Sequence, residues 1–162
     1  MSALPEPLPE TLAFPAQAWF AGLARLMNAN RARQEQLGYI DCVAVFTVSD
    51  AGEDGGPRHF RVSFEEFSAT EVAEVDAGGA AAADFALVAP LATWRAMLES
   101  IAAGHGRPAL EQSLNRLSHM GTPMMLVAAD PLKADLYFRY NQSLQEFFNA
   151  SAVFTTVFSD AQ

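Results

Sequence analysis

The sequence predicts an α+β fold, because stretches with the two-residue period of strands are followed by stretches with the 3.6-residue period of helices. Cys42 to Val48 is rich in β-branched residues, and Phe60, Val62 and Phe64 alternate with polar neighbours. The turn-forming cluster Gly52 to Pro57 separates these two stretches. Together they predict a β-hairpin at the start of a sheet.

Three further segments have the length and composition of strands. Thr70 to Val75 predicts a third strand, and Asp84 to Val88 predicts a fourth after the Gly78-Gly79 turn. Met124 to Ala128 is a compact apolar run of strand length near the C-terminal end. The sheet is therefore expected to contain five strands, and the first four are expected to follow the first helix as an antiparallel meander.

Three apolar patterns predict helices before the last strand. The first begins after Pro15 and ends before Gly38, the second runs from Pro90 to Gly104, and the third lies between Pro108 and Gly121. Their apolar positions are Trp19, Phe20, Leu23, Leu26 and Met27; Trp94, Met97, Leu98 and Ile101; and Leu110, Leu114 and Leu117.

The last helix is predicted from Asp130-Pro131, which supplies an N-cap followed by proline at the first helical position. The alternation of Leu136, Phe138 and Tyr140 is also compatible with a strand. If the segment is helical, its apolar face consists of Leu132, Leu136, Tyr140, Leu144 and Phe147 or Phe148.

Length and charge limit the classes of function. A chain of 162 residues predicts one domain, spanning residues 16–162 after a proline-rich flexible lead-in at 1–15. The formal net charge of −9 argues against a nucleic-acid surface and against strong attraction to anionic lipids. There is no signal-peptide pattern and no apolar run long enough to span a bilayer, so we expect a cytoplasmic protein without stable membrane insertion.

Residues with catalytic or metal-binding chemistry are scattered. His59, His105 and His119 have no metal-ligand spacing, so we expect no metal site and no cofactor. Cys42 cannot form an internal disulfide, and its place in a strand favours a buried, inert thiol. Asp84 opens an apolar strand after four alanines, where tying the turn to backbone N–H groups is its expected role.

The order of these elements is similar to that of the sterol carrier protein type 2 domain. The motifs that carry this resemblance are Ala83-Asp84 at the start of a strand, Trp94 in the next helix and the turn from Gly104 to Pro108. Gly121 before the strand at Met124 to Val127, with Leu132 and Leu136 in the final helix, continues the match. The resemblance covers roughly residues 19–148.

The chain departs from the family pattern in two places. The segment from Pro108 to Gly121 is several residues longer, and Ala128-Ala129 replace the glycine that usually closes the fifth strand. The net charge of −9 also differs from basic family members. We therefore expect a different ligand shape and entrance, and a ligand-holding protein in preference to one that transfers sterols between bilayers.

The resemblance implies a five-stranded, largely antiparallel sheet with helices on one face and an apolar tunnel between them. The implied ligands are fatty acyl chains, acyl-CoA or sterol-like molecules, and Tyr140 or Arg139 could anchor a polar head. The predicted lining residues are Trp94, Met97, Ile101, Met124, Leu126, Leu132, Leu136 and Tyr140.

A non-catalytic lipid-binding or carrier protein is the favoured function, and two alternatives remain. One is a small α+β isomerase or cyclase that uses Asp84 as base and Tyr140 or His119 as acid. The other is an assembly module in which the apolar tail Ala152 to Phe158 packs across a two-fold interface of a homodimer.

Overall fold

A five-stranded β-sheet lies at the centre of the computed structural model, which describes residues 11–158. The strands in chain order are β1 (Thr11–Phe14), β2 (Cys42–Val48), β3 (Arg58–Glu65), β4 (Ser68–Val75), β5 (Phe85–Ala89), β6 (Met125–Val127) and β7 (Thr155–Phe158). The large sheet has the order β4-β3-β2-β5-β6, in which β2 and β5 are parallel and every other neighbouring pair is antiparallel. The prediction of an α+β fold with a largely antiparallel five-stranded sheet is confirmed.

Seven α-helices and two short 3-10 helices accompany the strands in the described residues. They are α1 (Gln17–Ala29), α2 (Arg31–Leu37), α3 (Ala77–Ala81), α4 (Leu91–Ala103), α5 (Leu114–Ser118), α6 (Pro131–Arg139) and α7 (Asn141–Asn149), with short 3-10 helices at Leu110–Gln112 and Ala150–Val153. In the described part of the chain, no helix has the length and apolar character needed to cross a bilayer.

The register of β2 and β3 determines which residues form the core. Phe46 lies opposite Phe60, and Ala44 lies opposite Val62, so the even-numbered residues of both strands share one face. These four side chains are completely buried. We call the packed apolar side chains between this face and helices α1, α4, α6 and α7 the helix-side layer. The opposite face of the sheet is called the far face.

The far face is covered in part by α3. Val45 lies opposite Ala86, and Thr47 lies opposite Val88, which places these four residues on the far face. Helix α3 begins after Asp76, whose carboxylate accepts a hydrogen bond from the Gly79 N–H at 2.8 Å. The helix has only five residues, and Val45, Thr47 and Ala86 on the far face are nevertheless buried.

The two ends of the described chain meet in a separate two-stranded sheet. Strands β1 and β7 pair in parallel, with Thr11 opposite Thr155 and Phe14 opposite Phe158. The indole N–H of Trp19 donates to Thr156 Oγ1 at 3.1 Å and ties α1 to β7. A strand therefore occupies part of the predicted lead-in, and the tail pairs within its own chain. Residues 1–10 of the lead-in and residues 159–162 lie outside the described residues.

Three predicted helices are interrupted. The helix predicted between Pro108 and Gly121 is divided at Ser113, whose backbone is extended with ψ 155°, into the 3-10 helix Leu110–Gln112 and α5. The first predicted helix is divided at Asn30 into α1 and α2, and the last is divided at Tyr140 into α6 and α7. Asn30 and Tyr140 also leave helical backbone geometry, with φ −121° and ψ 58° at Asn30 and φ −106° and ψ 15° at Tyr140. Tyr140 is thus both the residue after α6 and the residue before α7.

Candidate functional site

Helix α4 holds three of the predicted lining residues against the sheet. Trp94, Met97 and Ile101 lie at positions i, i+3 and i+7, and all three are completely buried. The indole N–H of Trp94 donates to the backbone carbonyls of Thr47 at 3.0 Å and Ala89 at 3.1 Å. These two hydrogen bonds pair the buried indole N–H with the sheet and hold the Trp94 ring in one orientation within the helix-side layer.

The other predicted lining residues divide between the core and the surface. Met124 and Tyr140 are buried, and Leu126 and Leu136 are half-buried against the same core. Leu132 is different, because 77% of its surface is exposed. The structure therefore brings seven of the eight predicted residues into one apolar cluster and leaves Leu132 at the surface.

Tyr137 is the side chain of α6 that the sequence reasoning missed. It is completely buried, and its ring contacts Phe85 with 5.9 Å between centroids. Its hydroxyl lies 2.7 Å from Ser118 Oγ, which joins α6 to α5, and burial raises its pKa above the usual value. Tyr137, Tyr140 and Leu144 follow the spacing i, i+3, i+7, so a helical signal was present in the sequence.

Aromatic rings pack closely in the middle of the helix-side layer. Phe46 contacts Phe148 edge-on at 4.9 Å, and Phe20 stacks on Phe60 at 4.9 Å between centroids. Phe147 contacts Phe64 edge-on at 5.2 Å. These are favourable ring geometries, so the centre of the layer is held by specific aromatic pairs as well as by burial.

Asp84 is engaged at both carboxylate oxygens. Oδ2 accepts a hydrogen bond from the backbone N–H of Val43 at 2.8 Å, and Oδ1 accepts one from Lys133 Nζ at 2.9 Å. The bond from Lys133 raises the pKa of that lysine. Within residues 11–158, Asp84 makes no hydrogen bond to Tyr140 or His119. Its predicted role in tying the turn to the backbone is confirmed.

Cys42 is a buried thiol at the start of β2. Only 3% of its surface is exposed. Burial, followed by the nearby charges of Asp84 and Asp41, raises its pKa to about 12. The prediction of a buried thiol is confirmed, and a raised pKa is consistent with low nucleophilicity because the thiolate is the nucleophilic form.

Two concave regions lie outside the helix-side layer. The larger, of about 560 Å³, lies between α4 and the segment 151–158, and Arg95 there covers the ring of Phe158 at 4.9 Å. The smaller, of about 290 Å³, lies on the far face between α3 and the end of β6. The sequence reasoning identified neither region.

The arrangement of these elements is that of the sterol carrier protein 2 fold. The crystal structure of sterol carrier protein 2 matches with a TM-score of 0.62 and 21% sequence identity, over 85% of this chain and 95% of that one. This agreement confirms the fold that the sequence resemblance implied.

A second solved structure supports the same fold. It is the solution structure of a conserved hypothetical protein from Thermus thermophilus, described there as a possible sterol carrier protein. It matches with a TM-score of 0.57 and 21% identity, over 85% of this chain and 88% of that one. No model of a protein family matches the chain, and no curated protein matches it.

Proposed function

We propose that this chain is a non-catalytic binding or carrier protein for a hydrophobic ligand, such as a fatty acyl chain, an acyl-CoA or a sterol-like molecule. The observation that carries the proposal is the clustering of seven predicted lining residues in the helix-side layer. The fold shared with sterol carrier protein 2 supports the same conclusion. The apolar tunnel implied by the sequence resemblance belongs to this proposal.

The size of the hydrophobic effect limits the ligand. Each buried CH₂ contributes about 0.8 kcal/mol, so ten contribute about 8 kcal/mol before the cost of ordering is subtracted. Micromolar affinity corresponds to about −8 kcal/mol. A ligand bound at this affinity therefore needs a chain of more than about ten carbons or a polar anchor. Arg139 and Tyr140, at the junction of α6 and α7, are the anchors we propose.

The rim formed by α6 is the proposed entrance. Leu136 is half-buried against the core, whereas Leu132 and Phe138 on the same helix are exposed. Met120, in the loop before β6, is 79% exposed. A contiguous exposed apolar patch often marks a binding site, and we propose that these side chains form one. We propose that an acyl chain passes Leu136 and displaces core side chains as it enters.

Native mass spectrometry of the protein as purified from cells tests the proposal. We expect a lipid-sized adduct, together with displacement of a bound fluorescent fatty acid by unlabelled ligand. The same spectrum counts the subunits and so tests the predicted homodimer. A spectrum without any adduct, combined with no binding of the fluorescent fatty acid, contradicts the carrier function.

A matched pair of variants locates the site. Leu136→Gln places a polar amide at the half-buried rim, and we expect it to weaken uptake of the fluorescent fatty acid about tenfold. Leu110→Gln makes the same change at an exposed position outside α6, so uptake should be unchanged. Circular dichroism checks that both variants are folded. Equal affinities for the two folded variants would remove α6 from the proposed site.

A further inference from the structure

The far face carries an open groove that the helix-side site does not use. Its volume is about 290 Å³, and it crosses the sheet from His59 on β3 to Val127 on β6. Three strand spacings separate β3 from β6, which corresponds to about 14 Å. We call this feature the far-face groove and define it by His59, Thr47, Ala80, Ala86, Val88 and Val127.

Small side chains keep the groove open. Its floor is formed by Ala86 and Val88 of β5, and its wall on the α3 side consists of alanines. Helix α3 is held close to β4, since a Cβ atom on Gly79 would come within 2.8 Å of the Val75 Cβ. Helix α3 thus covers one side of the far face but has no bulky side chain to reach across it.

One end of the groove has a polar pair. Thr47 is only 3% exposed, and its Oγ1 lies 2.8 Å from His59 Nδ1 on the neighbouring strand. When the hydroxyl donates to Nδ1, the neutral imidazole carries its proton on Nε2. Among residues 11–158, no other side chain hydrogen-bonds to the His59 ring. The Nε2–H group is therefore a donor without a protein acceptor.

The two arginines beside this end are both paired with glutamates. Arg61 lies on the same face as His59 and is paired with Glu71 at 3.2 Å. Arg58, next to His59 in the chain, is paired with Glu74 at 2.8 Å. Asp76 follows Val75, the residue opposite His59 on β4, and its carboxylate caps α3. Recognition of a carboxylate at this end therefore depends on the Nε2–H donor of His59 and not on a free cation.

We propose that the far-face groove binds a medium-chain monocarboxylate, with its carboxylate accepting a hydrogen bond from His59 Nε2 and its alkyl chain lying over Ala86 and Val88. The volume favours a ligand of about ten non-hydrogen atoms, because a water-sized unit occupies about 30 Å³ in the liquid. Octanoate has this size. The site is distinct from the helix-side layer, since the sheet lies between them.

The test is a titration of the ¹⁵N-labelled full chain with octanoate, followed by NMR. We expect saturable shifts in α3, β3 and β5, with half-saturation below about 10 mM. The absence of saturable shifts, or shifts confined to α4, α6 and α7, overturns the far-face site.

Three substitutions localise the effect. Ala81→Leu fills the groove from an exposed position on its wall, and we expect octanoate binding to weaken at least tenfold. Ala92→Leu, at an exposed position on α4, is the matched control and should bind normally. His59→Leu should weaken binding about fivefold, and His59→Gln, which keeps an N–H donor, should recover part of it. Unchanged binding in Ala81→Leu overturns the proposal.

The two proposed sites can fail independently. Displacement of the long-chain fluorescent fatty acid reports the helix-side layer and should respond to Leu136→Gln but not to Ala81→Leu. If octanoate shifts only helix-side residues, the far-face site is rejected and the carrier function stands. If the far-face shifts persist while no fluorescent fatty acid binds, the carrier function is rejected and the far-face site stands.

Discussion

The two faces of the central sheet differ in the size of the side chains that they present. The helix-side face carries Phe46, Phe60 and Phe85, whose rings fill the space beneath the covering helices. The far face carries Thr47, Val88 and the small Ala86, beneath a five-residue helix of alanine and glycine. The difference shows that one set of strands can support a packed core and an open groove, according to side-chain volume on alternate residues.

Two adjacent residues of β2 provide the strongest test of this difference. Phe46→Ala removes a ring from the packed face, and we expect the free energy of unfolding to fall by about 3–5 kcal/mol. Thr47→Ala removes one hydrogen bond beside an open groove, so about 1 kcal/mol should be lost. Urea denaturation measures both. Similar losses in the two variants would show that the far face is packed as tightly as the helix side.

Asp84 joins the sheet to α6, and its substitution should have the next largest effect. Asp84→Ala leaves the Val43 N–H without its partner, and we expect a loss of about 1–3 kcal/mol. Lys133→Met removes only the exposed partner of the same carboxylate, so its effect should be smaller. Urea denaturation measures the loss of stability in each variant, and hydrogen exchange at the Val43 amide reports whether that N–H has lost its partner. A larger loss for Lys133→Met would contradict the assigned role of Asp84.

The smallest expected effect concerns Glu74 at the outer strand β4. The hydrogen bond from Arg58 lowers the pKa of Glu74, so the pair stabilises the fold above the unfolded-state pKa of this group. This stability is lost as the pH falls through the lower, folded-state pKa. Because the pair is partly exposed, less than about 1 kcal/mol is involved. Glu74→Gln should make the free energy of unfolding less dependent on pH in this acid range. An unchanged pH dependence would contradict a stabilising role for the pair.

The strands and their core face could be predicted because their signal is local. The predicted strand Cys42 to Val48 coincides with β2, and the alternation at Phe60, Val62 and Phe64 correctly identified the buried face of β3. In β3, burial on one face imposes a two-residue period, whereas β2 is buried on both faces and was recognised by its β-branched composition. The Ala83-Asp84 motif was equally informative, since an acid before a buried strand requires a partner.

The position of α6 could not be derived in the same way. Leucines four residues apart suggested that Leu132 and Leu136 face the core together, yet Leu132 is exposed and Tyr137 is buried. The backbone leaves helical geometry at Tyr140, so one continuous apolar face does not describe both α6 and α7. The orientation is determined by contacts with distant residues, including Ser118 and Phe85.

Long-range pairing also escaped the sequence reasoning. Strands β1 and β7 have four residues each, and Thr11 pairs with Thr155 from the other end of the described chain. Strands this short have weak patterns of their own and depend on packing against Trp19 and neighbouring rings. The far-face groove was missed for a related reason. Its residues come from β2, β3, α3, β5 and β6 and share no motif.

The most direct test of the carrier function is to observe a bound acyl chain in the helix-side layer. Nuclear Overhauser effects can be recorded between ¹³C-labelled palmitate and the protein methyl groups. We predict contacts to the methyl groups of Met97, Met124 and Leu136, which lie in or against the helix-side core. Palmitate that saturates the protein without a contact to these three methyl groups would contradict the account.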